Sequence, residues 1–363
     1  MQIKQILLSW FILIGLNISV IAQPSTFEED ARKGIKEAQF FTGWDYEYQL
    51  TVPQDLEKAL FWYTKSAHQE YAIAQLALGL LYYKGKGVPK NYSKALQWLK
   101  KGAKGGSRKA QYYLASMYLK GEGVVADSVQ AFYWIKKSAS LGYVPAQESL
   151  SKMYERGVGT QTSPQKALLW YEKLAKEGDA YAQLKLSFMY YKGIGTEVNY
   201  SKAMTWVRKS AENGNANAQH NLATSYREGL GVKQNMSEAI KWYKLSVKQE
   251  FPPAQFVLGY LYLSGNGIKQ DTLQALDLMK RAAQQGDAEI QYQLGQVYHK
   301  SKHITQNLSE VIKWYTQSAT QQHVEAQNAL GELYEAENPG IKDSKKAFAW
   351  YELAAKGGYA QAQ

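Results

Sequence analysis

Residues 74–109, AQLALGLLYYKGKGVPKNYSKALQWLKKGAKGGSRK, decide the fold, because residues 110–145, AQYYLASMYLKGEGVVADSVQAFYWIKKSASLGYVP, repeat their pattern. Ala74-Gln75, Leu78, Tyr82, Gly85, Gly87-Val88, Asn91, Ala95, Trp98, Ala103 and Gly106 return 36 residues later. They reappear as Ala110-Gln111, Leu114, Tyr118, Gly121, Gly123-Val124, Asp127, Ala131, Trp134, Ala139 and Gly142. The same register runs from Ala38 to Ala362 with no gap or insertion. A fixed period of this size marks a repeat array and not a single compact core.

Let position 1 be the Ala of Ala-Gln, replaced once by Ile290. Position 2 is then Gln from Gln39 to Gln363, position 9 is Tyr in all nine complete copies, and position 6 is Gly, Ala or Ser. Positions 1, 5, 8 and 9 share one face at helical spacing, which predicts a first helix over positions 1–11. The small residue at position 6 lets a neighbouring helix approach. Glycines at positions 12 and 14, such as Gly157 and Gly159, supply the left-handed backbone that stops a helix. Position 18 is usually Asp or Asn, from Asp55 to Asp343, which predicts the N-cap of a second helix. Asn235 with Glu238, and Asn307 with Glu310, have capping-box spacing. The second helix usually carries Ala at positions 22 and 30 and Trp at position 25, with Leu278 the exception to Trp. These tryptophans are expected to fill the core, each truncation to Ala costing about 3–5 kcal/mol. Each copy is thus a helical hairpin that cannot cover its own apolar face, and stacking supplies the cover. The reading is an all-α chain of stacked antiparallel helix pairs.

The ends of the chain differ from its middle. Lys4 precedes an apolar run from Ile6 to Ile21, and Val20-Ile21-Ala22 before Gln23 has the look of a cleavage site. That pattern predicts a signal peptide over residues 1–22 and an exported protein, periplasmic or secreted. Ala31 and Gly34 fall on positions 30 and 33, so residues 23–37 read as an N-terminal capping helix. Nine tandem repeats follow over 38–361, and residues 362–363 begin a tenth. Turns are altered at Val52-Pro53, at Ser301 and His303, and at Asn338-Pro339-Gly340. With no tenth repeat to cover Phe348, Trp350, Tyr351 and Leu353, three readings stay open: fraying, end-to-end self-association or stacking on a partner, and a truncated sequence.

The 363 residues are 45% hydrophobic and 21% charged, with a net charge of +11 and no cysteine. Cysteine's absence excludes disulfides, thiol catalysis and Cys-ligated zinc. The charge favours acidic partners.

The period, Ala-x-x-x-Leu-Gly, the Tyr, Gly-x-Gly-Val, Lys-Ala and Trp-Tyr together resemble the Sel-one-like repeat (SLR) family, relatives of the tetratricopeptide repeats, over residues 38–363. The resemblance implies a right-handed α-solenoid and a role in scaffolding or binding other proteins, in signalling, secretion or host interaction. A cysteine-rich branch of the family is linked to penicillin binding, and this chain lacks those cysteines.

Catalytic constellations are scarce. The Gly-x-Gly pairs follow a helix where a phosphate cradle would follow a strand. Ser149-x-x-Lys152 and Ser163-x-x-Lys166 match a nucleophile motif of penicillin-recognising enzymes, without its Ser-Asp-Asn or Lys-Thr-Gly companions. His299 and His303 have chelating spacing but no third ligand, so no metal and no cofactor is expected. Asn-x-Ser triplets at Asn91, Asn199, Asn235 and Asn307 fall on the cap position. Basic pairs at positions 27 and 28, such as Lys100-Lys101 and Lys136-Lys137, read as a solvated basic outer face, and no nucleic acid is expected as partner.

Side chains that recur build the core; those that vary are free for a ligand. On the first helix, positions 3, 7 and 10 form a varying stripe, and position 11 adds a basic row. By the family resemblance this stripe lines the concave face. The expected partner site there is Trp44, Leu80, Tyr83, Lys84, Tyr112, Leu119, Lys120, Phe188, Tyr191, Lys192, Phe256 and Tyr260. Aromatics beside cations suit a protein or peptide with apolar and acidic side chains. The first reading is therefore a non-catalytic scaffold, adaptor or toxin-immunity protein without stable membrane insertion. The alternatives are an envelope enzyme acting on β-lactam or peptidoglycan fragments, and binding of an anionic glycan or lipid through the basic rows.

Overall fold

The computed structural model describes residues 24–336 and 340–359. The expected export segment, the Asn338-Pro339 part of the ninth turn and the start of a tenth repeat lie outside these residues. Among the described residues there are nineteen helices and no strand. They form two units, residues 24–174 and 175–359. The first unit holds α1 (Pro24–Arg32), α2 (Lys36–Tyr48), α3 (Leu56–His68), α4 (Ala72–Lys84), α5 (Tyr92–Lys104), α6 (Arg108–Lys120), α7 (Ser128–Ser140), α8 (Val144–Arg156) and most of α9 (Pro164–Lys176). The second holds α10 (Ala180–Lys192), α11 (Tyr200–Glu212), α12 (Ala216–Glu228), α13 (Met236–Val247), α14 (Pro252–Ser264), α15 (Thr272–Gln284), α16 (Ala288–Lys300), α17 (Leu308–Ala319), α18 (Val324–Glu335) and α19 (Ser344–Lys356). Even-numbered helices are the first of each repeat, and start two residues before the Ala-Gln pair. Odd-numbered helices from α3 are the second.

The punctuation follows from the repeated residues. Gly85, Gly121, Gly157, Gly193, Gly229 and Gly265 close their helices in the left-handed region. The glycine at position 14 has a second reason. A Cβ on Gly87 would lie 2.6 Å from Leu56 Cβ, so the turn of one repeat rests on the second helix of the repeat before it. Asp55, Asn91, Asp127, Asn199, Asn235, Asp271, Asn307 and Asp343 cap the second helices through their side chains. The capping boxes are only half made. The Asn235 N–H donates to Tyr226 O at 2.8 Å, so Glu238 does not receive it and pairs with Lys241 instead.

Each pair is locked at position 6 against position 26. A Cβ on Gly79 would stand 2.7 Å from Leu99, and one on Gly259 2.8 Å from Met279. Successive pairs are tied by the position 2 glutamine, whose Nε2 donates to the carbonyl of the preceding helix, as in Gln39 to Ala31 O and Gln75 to Ala67 O, each 3.1 Å, except that Gln255 donates to the Glu250 carboxylate. Its Oε1 accepts from an amide at position 32 where there is one: Gln69 to Gln39, Gln249 to Gln219, Gln321 to Gln291. Leu141, Glu177 and Gly357 cannot donate there, and Gln111, Gln147 and Gln327 keep a buried Oε1 without a partner. Each such orphan costs about 1 kcal/mol or more.

The tryptophans at position 25 correct the sequence reading. Only Trp62 and Trp314 are buried; Trp98, Trp134, Trp206 and Trp242 are half-exposed. The core residue of the second helix is the next one, position 26: Tyr63, Leu99, Ile135, Tyr171, Val207, Tyr243, Met279 and Tyr315 are all buried. One residue is 100° of helix, which turns position 25 from the partner helix toward the seam. There it is covered by the lysine three residues on, as Lys101 over Trp98 at 4.6 Å and Lys209 over Trp206 at 4.7 Å. Truncating a half-exposed Trp should therefore cost less than the 3–5 kcal/mol expected of a core residue.

Candidate functional site: an open joint between repeats five and six

In the second unit, α10, α11 and α12 enclose a cleft of about 520 Å³. Leu184, Phe188 and Tyr191 line it from α10, Tyr200, Ala203, Met204 and Val207 from α11, and Asn221, Thr224 and Ser225 from α12. Leu230 and Gly231 of the next turn complete the rim. Tyr191 and Tyr200 are 46% and 57% exposed and stack edge-on at 5.4 Å. Neither hydroxyl has a partner among the described residues. Lys192 lies 5.3 Å over the Tyr191 ring.

The cleft exists because two core positions are underfilled. Position 8 holds Leu81, Met117, Met153, Met189, Leu261, Val297 and Leu333 in seven of the other repeats and Asp45 in the first, yet Ser225 in repeat six. Position 26 holds Val207 in repeat five where larger side chains stand in most copies. The missing volume is not recovered by neighbours, so an apolar cavity with a polar corner results. The sequence reading found Phe188 and Tyr191. It missed Tyr200, Met204 and Leu230, because it searched first helices only. The break at position 8 was the available signal.

The other expected site residues are spread more widely. Lys84, Leu119, Lys120 and Tyr260 are exposed; Trp44, Leu80, Tyr83, Tyr112 and Phe256 are half-buried. Leu76, Leu263 and Glu47, part of the same stripe, are buried. Glu47 accepts from Tyr63 Oη at 2.8 Å and from Lys86 Nζ at 2.9 Å, so its carboxylate is already engaged. Tyr83 donates to Glu122 at 2.8 Å, and burial, then this hydrogen bond, push its phenol above the usual range. Tyr112 stacks on Tyr143 at 5.3 Å. Phe256 packs on the core of the second unit.

His220, at position 3 of repeat six, lies between the rings of Tyr243 and Phe251. Its Nδ1 is buried without a partner. Burial first, and then the Arg227 charge, hold its pKa down to about 4, so the ring is neutral at pH 7. His299 and His303 do not share a helical face, because α16 ends at Lys300 and Ser301 is extended. Among the described residues no cluster of His, Asp and Glu could hold a metal ion. Ser149 donates its hydroxyl to Pro145 O at 2.8 Å within its own helix.

The Sel1 repeat family profile matches residues 36–71, 72–107, 108–143, 144–179, 180–215, 216–251, 252–287, 288–323 and 324–359. The chain belongs to the Sel1 repeat family. Among solved structures, this Sel1 repeat chain is similar to a protective antigen present in uropathogenic Escherichia coli strains, which displays an SLR fold. The two are 33% identical with a TM-score of 0.80, over 94% of this chain and 73% of the other. It is also similar to a Sel1 repeat protein from Oxalobacter formigenes, with 28% identity and a TM-score of 0.69, over 85% of this chain and 90% of the other. No curated protein matches the chain. The SLR architecture expected from the register is therefore the architecture found, an all-α solenoid of paired helices. Among the described residues no helix is long and apolar enough to cross a membrane.

Proposed function

We propose that this Sel1 repeat protein is a non-catalytic scaffold that holds a partner protein by an apolar anchor seated in the cleft of repeats five and six. The apolar residues at residues 6–21 support export, which would place that partner in the periplasm or outside the cell. The observation that carries the reading is the underfilled joint. A cavity of about 520 Å³, edged by exposed Phe188, Tyr191 and Tyr200, has room for one or two large side chains. Lys192, whose ammonium lies over the Tyr191 ring, favours acidic residues beside the anchor. Unused aromatic surface of this kind is what binding hot spots are made of.

The test is a displayed peptide library panned on the full chain and on the Ser225→Met variant. Methionine is what position 8 carries in repeats three to five, so the variant fills the cleft and keeps every rim residue. Wild type is expected to enrich peptides with Leu or an aromatic beside Asp or Glu, and Ser225→Met to lose that enrichment at least tenfold. Equal enrichment by both would remove the cleft from the proposal.

A further inference from the structure

The second helices of the first unit carry a surface that partner capture does not use. Over residues 56–68, 92–104, 128–140 and 164–174 there are ten lysines against two glutamates, Glu57 and Glu172. The first helices of the same unit, α2, α4, α6 and α8, carry seven Lys or Arg against five Asp or Glu. The excess charge is therefore on one layer. That layer is also apolar at its outermost points. Position 24 places Phe61, Tyr133 and Leu169 on the outer side of α3, α7 and α9, and Val129 stands one turn before Tyr133. Val129 is 63% and Leu169 64% exposed, and Phe61 and Tyr133 are about half exposed. Lys65 lies 4.7 Å over the Phe61 ring and Lys137 4.7 Å over the Tyr133 ring. Neither lysine makes an ion pair among the described residues.

We infer that this face docks on an anionic phospholipid surface. Each of these helices is about 20 Å long, enough to span several headgroups. Lysine ammonium groups reach the phosphates while their stems and the adjacent rings enter the interface, as amphipathic side chains do. Each lysine held near an anionic leaflet tightens binding roughly fivefold. A soluble polyanion would use the charge, but would give Phe61, Tyr133 and Leu169 no gain over water. Their exposure among the lysines is what favours lipid.

The experiment is flotation of the full chain with vesicles of phosphatidylcholine alone and of phosphatidylcholine mixed with phosphatidylglycerol. Residues 1–22 are common to every variant, so whatever they contribute appears equally in all. Wild type is expected to float with the anionic vesicles at least tenfold more than with the neutral ones, and to be released by high salt. The variant Lys100→Glu, Lys101→Glu, Lys136→Glu, Lys137→Glu should lose that preference. The variant Phe61→Ser, Tyr133→Ser, Leu169→Ser should lose it severalfold, with its charge intact. All seven side chains are exposed or half-exposed, so circular dichroism should show both variants folded. Equal flotation with both vesicle types, or anionic preference unchanged in the charge variant, overturns the inference. So does binding that a soluble acidic polysaccharide competes away and that the Phe61, Tyr133, Leu169 variant retains in full, because the face would then be a polyanion site.

Discussion

The joint between repeats two and three and the joint between repeats five and six are built on the same positions and end differently. Tyr83 and Tyr92 in the first stand where Tyr191 and Tyr200 stand in the second, and the ring pairs match, 5.5 Å apart in one and 5.4 Å in the other. In the first joint Met117 and Leu99 are fully buried beneath the pair. Glu122 accepts from both hydroxyls, Tyr83 at 2.8 Å and Tyr92 at 3.2 Å. Tyr113 adds a third ring 6.4 Å from Tyr83. In the second joint the corresponding residues are Ser225, Val207, Leu230 and Asn221, and all four line the cleft. The same scaffold therefore yields a sealed joint or an open cleft according to four side chains. An exposed aromatic at a repeat position does not mark a cleft by itself; what its neighbours leave unfilled does.

The comparison can be broken most severely from the closed side. Met117→Ser removes a fully buried side chain and places a hydroxyl where Ser225 stands in the open joint. The expected loss is about 3–4 kcal/mol, read as a lower denaturant midpoint. A loss below roughly 1 kcal/mol would mean that the joint collapses to fill the space, and that the cleft at Ser225 is not a rigid consequence of volume.

Acid should separate the two joints next. Position 3 is Tyr112 in repeat three and His220 in repeat six. The folded pKa of His220, about 4, lies below its unfolded value near 6.5. Between these values the unfolded chain binds the proton and the folded chain does not, so stability falls as pH drops from 6.5 toward 4. Wild type should lose on the order of 2 kcal/mol more than His220→Leu over that window, after allowance for the part of the ring still reached by solvent. Parallel pH profiles for the two proteins would show that His220 is protonated without penalty.

The smallest effect sharpens the role of Glu122. Replacing it by Ala leaves the Tyr83 and Tyr92 hydroxyls to water and should cost about 1 kcal/mol, because the site is only half-buried. Leu230→Ala at the same position of the open joint should cost less than that, as the side chain is exposed.

The repeat, the helix pairs, the caps and the glycine stops were legible because one residue type recurs for one geometric reason. Gly85 and its counterparts need positive φ, and Asp55 and its counterparts meet the free N–H groups of a helix start. Position 25 misled because Trp is large and recurs, yet recurrence records a constant environment and not a buried one; the seam under a lysine is as constant as the core. The cleft was half legible. Phe188 and Tyr191 vary along the first helix and could be found, whereas Tyr200 and Leu230 come from elements that meet them only when the chain is folded. The small side chain at Ser225, where most repeats carry Leu or Met, opens more of the cleft than any residue present, and a search for chemistry passes over a serine whose hydroxyl only bonds the Asn221 carbonyl of its own helix.

Tyrosine-selective chemical labelling followed by mass spectrometry tests the central claim most directly, because it compares matched residues in one molecule and needs no partner. Tyr191 and Tyr200, exposed and unbonded, should be modified several times faster than Tyr83 and Tyr92, which sit at the same repeat positions and share Glu122. Equal rates for the two pairs, or faster labelling of Tyr83 and Tyr92, would contradict the account of one sealed and one open joint.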